Sequence, residues 1–164
     1  MIFGITTFTL IHVVLSLVGI IAGLVVAGGL AGGRRLDRWA LVFLVTTIAT
    51  SVTGFGFPFV KFLPSHAVGI VSLVVLAVVI VAQYAKQFAG AWRRVYAVGV
   101  VLATYLNAFV LVTQLFLRLP ALIVAAPHQS EPPFALAQGL VLALFIWLAV
   151  AADKGFRAEP AGTA

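Results

Sequence analysis

The 164-residue sequence contains no cysteine and few charged residues of either sign. Without cysteine there is no disulfide, no thiolate nucleophile and no cysteine-bound cluster. Charged residues make up 9% of the chain, whereas a soluble domain uses about a quarter of its residues to cover its surface with charge. A chain that is also 63% hydrophobic cannot cover a water-facing globule, so we expect its solvent to be largely lipid.

Acidic residues are the scarcest charged class, with only Asp37, Glu131, Asp153 and Glu159. Three of them are predicted on one side of the membrane and Glu131 on the other, so they cannot form a two-carboxylate active site. The sequence also lacks a serine–histidine–aspartate set, an HExxH motif and a phosphate-binding glycine loop. These absences argue against hydrolase or transferase chemistry, and the sequence favours a protein that is not an enzyme.

What the sequence does contain is five long uncharged runs, each long enough to cross a hydrocarbon core of ~30 Å as a helix. Backbone groups must be satisfied within the segment in lipid, so helices are expected rather than open strands. The predicted fold is all-α: one five-helix transmembrane bundle over residues 1–157, with a disordered tail at 158–164. The helices are predicted at about 5–30, 39–58, 65–85, 94–117 and 133–152.

The basic residues predict the orientation of this bundle. Eight of the ten fall on one side, namely Arg34, Arg35, Arg38, Lys86, Arg93, Arg94, Lys154 and Arg157. Only Lys61 and Arg118 fall on the other. The positive-inside rule makes the richer side cytoplasmic, so the N-terminus is outside and the C-terminus inside. The net charge of +6 lies in short clusters beside apolar runs, which is typical of lipid-flanking cations and not of nucleic-acid binding.

Polar side chains gather in the predicted outer half of the bundle, around the turn at 51–69. They are His12, Thr50, Thr53, His66, Asn107, Gln114, Glu131 and Gln138. Polar groups at matching depth indicate either a shared bonding network or one outward-opening ligand site. His12 and His66 are then packed or interfacial histidines, or the axial ligands of a single b-type heme, or groups that hold a quinone carbonyl. No other metal site is indicated.

Small residues at helical spacing predict close helix contacts. The first helix carries Ser16, Gly19, Gly23 and Ala27 on one stripe, and the fourth carries Gly99 and Ala103. Small residues four apart allow two membrane helices to approach closely.

The strings SVTGFGFPF–KFLPSHAVGI, YLNAFVLVTQLF–LPAL and APHQSEPPFALAQ resemble those of a group of small, uncharacterised bacterial inner-membrane proteins. The resemblance implies a bacterial inner membrane and no particular activity. Three functions remain open from the residues: an accessory or scaffold component bound to other membrane subunits or to its own copies, a heme- or quinone-binding protein, and a carrier of small molecules or lipid.

Overall fold

The computed structural model describes residues 6–57 and 64–158, and every regular element in these two segments is helical. The helices are α1 (Thr7–Ala31), α2 (Asp37–Gly54), α3 (Pro64–Ile80), α4 (Trp92–Arg118), α5 (Pro120–Ala125) and α6 (Pro132–Ala158). A π-helical turn, Val81–Ala85, continues α3. The predicted all-α class is confirmed. Lys61 and all but the first residue of the predicted tail lie outside the described residues.

Four of these helices are long and apolar enough to cross a membrane. They are Thr7–Ala31, His66–Ala85, Trp92–Arg118 and Pro132–Arg157. The remaining long helix, α2, has 18 residues, begins with two charged residues and carries several hydroxyl side chains. At 1.5 Å per residue it is about 27 Å long, close to the thickness of a hydrocarbon core. Length and composition therefore establish four candidate spans and leave α2 as the more polar fifth helix.

The helix ends differ from the predicted ones at two places. The last helix runs on to Ala158, and in this extension Phe156 is buried against Phe88 and Tyr96 and Asp153 pairs with Arg157 across one helical turn. The second helix ends earlier, at Gly54, because the chain turns tightly there. The N–H groups of Phe55 and Gly56 donate to carbonyls three residues back, at distances of 3.1 and 3.0 Å.

Consecutive long helices pack antiparallel. The start of α1 meets the end of α2 where His12 bonds Thr53, and Gly99 near the start of α4 lies against Val79 near the end of α3. α4 and α6 are also antiparallel. Tyr96 near the start of α4 contacts Phe156 near the end of α6, and Phe116 near the end of α4 contacts Phe134 near the start of α6. Between these two contacts, Tyr105 meets Phe145. The bundle therefore has two chemically different ends.

The two ends take different groups of residues. The basic end is where α1 and α6 finish and α4 begins, and it holds the eight basic residues that the sequence assigns to one side. The polar end is where α1, α3 and α6 begin and α2 and α4 finish. Half of the apolar stretch of α4 is buried inside the bundle, against about a tenth of that of α6. α4 is thus a central helix, and α6 presents most of its surface to the surroundings.

Candidate functional site

The histidine of α1 is bonded to the last turn of α2. His12 Nδ1 lies 2.9 Å from Thr53 Oγ1. The threonine hydroxyl also lies 2.7 Å from the carbonyl of Ala49, and when it donates its proton there, the imidazole N–H is the donor to Thr53. His12 is then protonated on Nδ1, and its Nε2 carries the lone pair. A histidine held in this way, with one ring nitrogen donating and the other open, is the form that ligates metals.

Two phenylalanines of the turn after α2 each cover a different histidine. The Phe57 ring meets His12 edge-on, with centroids 5.1 Å apart, and Phe55 stacks on His66 at 5.9 Å. His66 is only 6% exposed and lies in the first turn of α3. Both histidines are therefore held at the same turn, but through separate aromatic contacts. The arrangement joins the starts of α1 and α3 to the end of α2.

Asn107 joins α4 to α1. Its Oδ1 accepts a hydrogen bond of 3.0 Å from the Ser16 hydroxyl, and its Nδ2 donates to the Ser16 carbonyl at 3.5 Å. One turn further along α1, a Cβ on Gly19 would lie 3.3 Å from Asn107 Nδ2 and 2.9 Å from Thr47 Oγ1. The small residue lets α1 sit close to both α2 and α4. Asn107 accordingly acts as a polar clamp between two closely packed helices.

The remaining predicted site residues bond within their own neighbourhoods. Gln138 of α6 donates to the Phe109 carbonyl at 3.1 Å and to the Thr113 hydroxyl at 3.2 Å, which ties α6 to α4. Gln114 accepts from Arg118 on the same helix, at 3.3 Å. Thr50 is buried, and its hydroxyl donates to the Thr46 carbonyl at 2.8 Å. The polar end is thus a set of local pairs, most of which bridge two neighbouring helices.

Glu131 organises the loop before α6. Its carboxylate accepts the backbone N–H groups of His128, at 3.1 Å, and Ser130, at 3.0 Å. Burial alone would raise the pKa of Glu131, but hydrogen bonds from these N–H groups and its own, with the charge of His128, hold the pKa below its usual value. Among the described residues no salt bridge joins Glu131 to Arg118, the other charged residue described at this end. Glu131 therefore stabilises the loop that leads into α6.

The basic end contains a cluster that sequence reasoning missed. Phe88, in the loop between α3 and α4, is buried with φ of 60°, a left-handed conformation that costs a non-glycine residue about 1–2 kcal/mol. Its ring packs edge-on against Tyr96 at 4.9 Å and Phe156 at 5.4 Å, and the Arg35 guanidinium lies 4.6 Å above it. An aromatic residue between the cations and glycine of KQFAGAWRR was the only signal for it.

An acidic residue is also buried at this end. Asp153 is paired with Arg157 and lies 3.8 Å from Arg94 Nε. Its Oδ1 has no hydrogen-bond partner in the described part of the chain, as is also true of three other buried oxygens: Thr47 Oγ1, Gln83 Oε1 and Gln138 Oε1. Thr47 is on α2, Gln83 is in the π-helical turn, and Gln138 and Asp153 lie at opposite ends of α6, so these atoms do not form one shared pocket.

Within residues 6–57 and 64–158, no group of three or more histidine, aspartate and glutamate side chains is placed to hold a metal ion. Two imidazoles and the tightly packed helix pairs are what the polar end offers chemically. No protein-family model, curated protein or solved structure matches the chain.

Proposed function

We propose that this chain is a five-helix bacterial inner-membrane protein, N-terminus outside and C-terminus inside, which serves as an accessory or scaffold component of a membrane complex. α2 is the fifth span in this proposal. It runs antiparallel to α1, its charged first turn lies at the basic end, and its length is close to that of the hydrocarbon core. The orientation rests on the positive-inside rule, because the eight basic residues at one end outnumber those at the other.

The absence of native cysteine makes the orientation directly testable. Ala89→Cys at the basic end and Ser130→Cys at the polar end both introduce a thiol at an exposed loop position. In intact cells a membrane-impermeant maleimide should label Ser130→Cys alone, and after lysis it should label both. Labelling of Ala89→Cys in intact cells would reverse the proposed orientation.

The observation that carries the accessory role is that the polar side chains at the polar end bond one another across helix contacts. His12 with Thr53, Ser16 with Asn107, and Gln138 with Thr113 each join two helices. Such pairs hold membrane helices together, where the alternative is an unsatisfied group in lipid. The hydrogen-bonding groups of these residues are used to join helices, which favours a structural role over a catalytic one.

A partner helix has a suitable surface on α6. Most of its apolar stretch is exposed, and five of the exposed residues are spaced four and three apart: Leu136, Leu140, Ala143, Trp147 and Val150. This spacing is typical of a helix–helix seam, and Leu140 is 73% exposed. Gly139 lies beside the seam with no other atom within 4 Å of its Cβ position, so a second helix could approach closely there.

Purification in mild detergent tests the role, with two matched glycine variants. Gly139→Leu adds a bulky side chain in open space on α6, and Gly28→Leu does the same on α1. We expect co-purifying membrane subunits, or a homo-oligomer, with the wild type and Gly28→Leu, and their loss with Gly139→Leu. A solitary wild-type monomer would refute the accessory role, and equal behaviour of the two variants would refute the α6 surface.

One observation favours heme or quinone binding as a second candidate. With Nδ1 donating to Thr53, the Nε2 atom of His12 is free of any hydrogen bond to the described residues. It could ligate heme iron or accept a hydrogen bond from a quinol hydroxyl. The aromatic rings nearby are Phe57, which meets His12 edge-on, and Phe8, which meets Phe57 edge-on. An absorbance spectrum of protein from its native membrane separates the heme version: a Soret band lost in His12→Ala supports it, and a colourless protein after heme supplementation excludes it.

A further inference from the structure

An open groove runs between α3 and α4 at the basic end. It encloses about 380 Å³, and its walls are valines of α3 (Val74, Val75, Val78) with Val95, Val98 and Leu102 of α4. The floor forms where Gly99 lets α4 approach α3, since a Cβ there would lie 2.6 Å from Val79 Cγ2. The groove is therefore an apolar furrow between two helices that are each long and apolar enough to cross a membrane.

One charged side chain lines this groove, the guanidinium of Arg94. Arg94 stands in the first turn of α4, where a helix that crosses the membrane leaves the hydrocarbon. From Arg94 to Leu102 the groove follows eight residues of helix, or about 12 Å. That is less than half of a hydrocarbon core of ~30 Å, so the furrow covers the part of one leaflet nearest the headgroups.

Arg94 keeps donors available. Its side chain is 68% exposed, and its contact in the described chain is a long one, 3.8 Å from Nε to a carboxylate oxygen of Asp153. Asp153 is paired more closely with Arg157, so it does not satisfy the terminal nitrogens of Arg94. A guanidinium with its fork of donors open is the side chain best suited to bind a phosphate through two hydrogen bonds.

The electrostatics of this end favour an anion. Eight basic residues lie there against two acidic ones, Asp37 and Asp153, among the described residues. Basic pockets between membrane helices bind the headgroups of anionic lipids, and each cation near the surface contributes to that attraction. The apolar groove ends at Arg94, so an acyl chain in the groove would place the phosphate of the same lipid beside the guanidinium.

We propose that the α3–α4 groove and Arg94 form a binding site for one anionic glycerophospholipid, with an acyl chain along the valines and the phosphate on the guanidinium. The site lies at the opposite end of the bundle from His12 and away from the exposed seam of α6. It is therefore independent of the role proposed above.

The test compares two lipids that share acyl chains and differ in headgroup, phosphatidylglycerol and phosphatidylcholine. Full-length protein in a neutral detergent is titrated with each lipid, and bound lipid is measured by native mass spectrometry. We expect tighter binding of phosphatidylglycerol by wild type, and a loss of about fivefold in its affinity with Arg94→Gln. Arg38→Gln, which removes a charge from the same end outside the groove, should retain the preference.

A second pair of variants tests the furrow. Val74→Phe fills it, and Val45→Phe adds the same ring to α2, where Val45 is 58% exposed and Val74 is 60% exposed. Val74→Phe should weaken both lipids, and Val45→Phe neither. Equal losses of phosphatidylglycerol with Arg94→Gln and Arg38→Gln would mean diffuse attraction only and would overturn the proposal. So would unchanged binding by Val74→Phe, or a protein dimer that Val74→Phe dissociates, which would assign the groove to a second copy.

Discussion

Gly23 lies where α1, α2 and α4 meet, and replacing it with alanine should destabilise the bundle. A Cβ at this position would lie 2.2 Å from Thr104 Oγ1, 2.8 Å from Thr104 Cγ2 and 3.0 Å from Phe43 Cδ2. Both neighbours are fully buried. Rotation of Thr104 would disturb the hydrogen bond of 2.8 Å from its hydroxyl to the Val100 carbonyl, and a threonine in a helix has only two favoured χ1 rotamers.

The magnitude follows from how far the helices must move. Ordinary contact begins near 3.4 Å, so α1 and α4 must separate locally by about 1.2 Å. Forcing an extra methyl into a packed core costs about 1–3 kcal/mol. The same separation stretches the hydrogen bond from Ser16 to Asn107, two turns along α1, and an interhelical bond in a membrane contributes about 0.6 kcal/mol. We expect Gly23→Ala to lower the free energy of unfolding by about 2–3 kcal/mol.

Reversible unfolding in mixed micelles of neutral detergent and dodecyl sulfate, followed by circular dichroism, measures this quantity. Gly28→Ala is the matched control, because it lies on the same helix with no atom within 4 Å of its Cβ position, and it should change stability little. Thr104→Ala removes the two nearest atoms, so the double variant should recover about 1–2 kcal/mol relative to the sum of the single ones. If Gly23→Ala is as stable as Gly28→Ala, the close packing of α1 on α4 is refuted.

Three further perturbations test other parts of the structure, the first two in the same unfolding assay and the third by hydrogen exchange. Asn107→Leu removes both hydrogen bonds to Ser16 and should lower the free energy of unfolding by about 1 kcal/mol. Gln114→Leu is its control and should lower it clearly less, because the Gln114 amide bonds only within α4. Equal losses would contradict the role of Asn107 as a clamp between α1 and α4. Phe88→Ala empties the aromatic cluster at the basic end and should cost about 3 kcal/mol, a prediction that a near-neutral result would contradict. Glu131 has a lowered pKa, so its contribution is present above about pH 4.5 and lost as pH falls through the lower folded-state value. The protection of the His128 and Ser130 N–H groups against hydrogen exchange, taken relative to the intrinsic exchange rate at each pH, should therefore fall in acid for wild type and stay constant in Glu131→Gln.

The helices could be predicted from the sequence because lipid imposes one solution on a long uncharged run. Each such run must satisfy its own backbone bonds, and only a helix does so within one segment. The ends were less predictable. α6 continues past its predicted end, and Arg157 pairs with Asp153 in this extension. The π-helical turn after Ile80 could not be predicted from the pattern of apolar residues.

The ligand site that the sequence suggests at the polar end stays a prediction, and the pairing of its residues could not be predicted. The polar residues were expected at one depth, and the structure brings His12 to Thr53 and Gln138 to Thr113. Nothing in the spacing of single helices distinguishes these partners from others at the same depth. The choice depends on which helices are neighbours and on how each is rotated.

Phe88 shows the limit of reading the chain locally. In sequence it belongs to a basic loop, and its burial depends on Tyr96 and Phe156, which lie eight and 68 residues further along the chain. Their packing also holds the left-handed backbone of Gln87 and Phe88, which no local preference would select.

By itself, the sequence determined that this is a chain of membrane-length helices with most of its cations gathered at one end. Both properties are sums over local composition, and the bilayer acts on them directly. Only the tertiary structure decided that His12 pairs with Thr53, that Gly23 packs against Thr104, and that Arg94 lines an apolar groove. These are contacts between helices that lie far apart in the chain, and they exist only once the helices have packed.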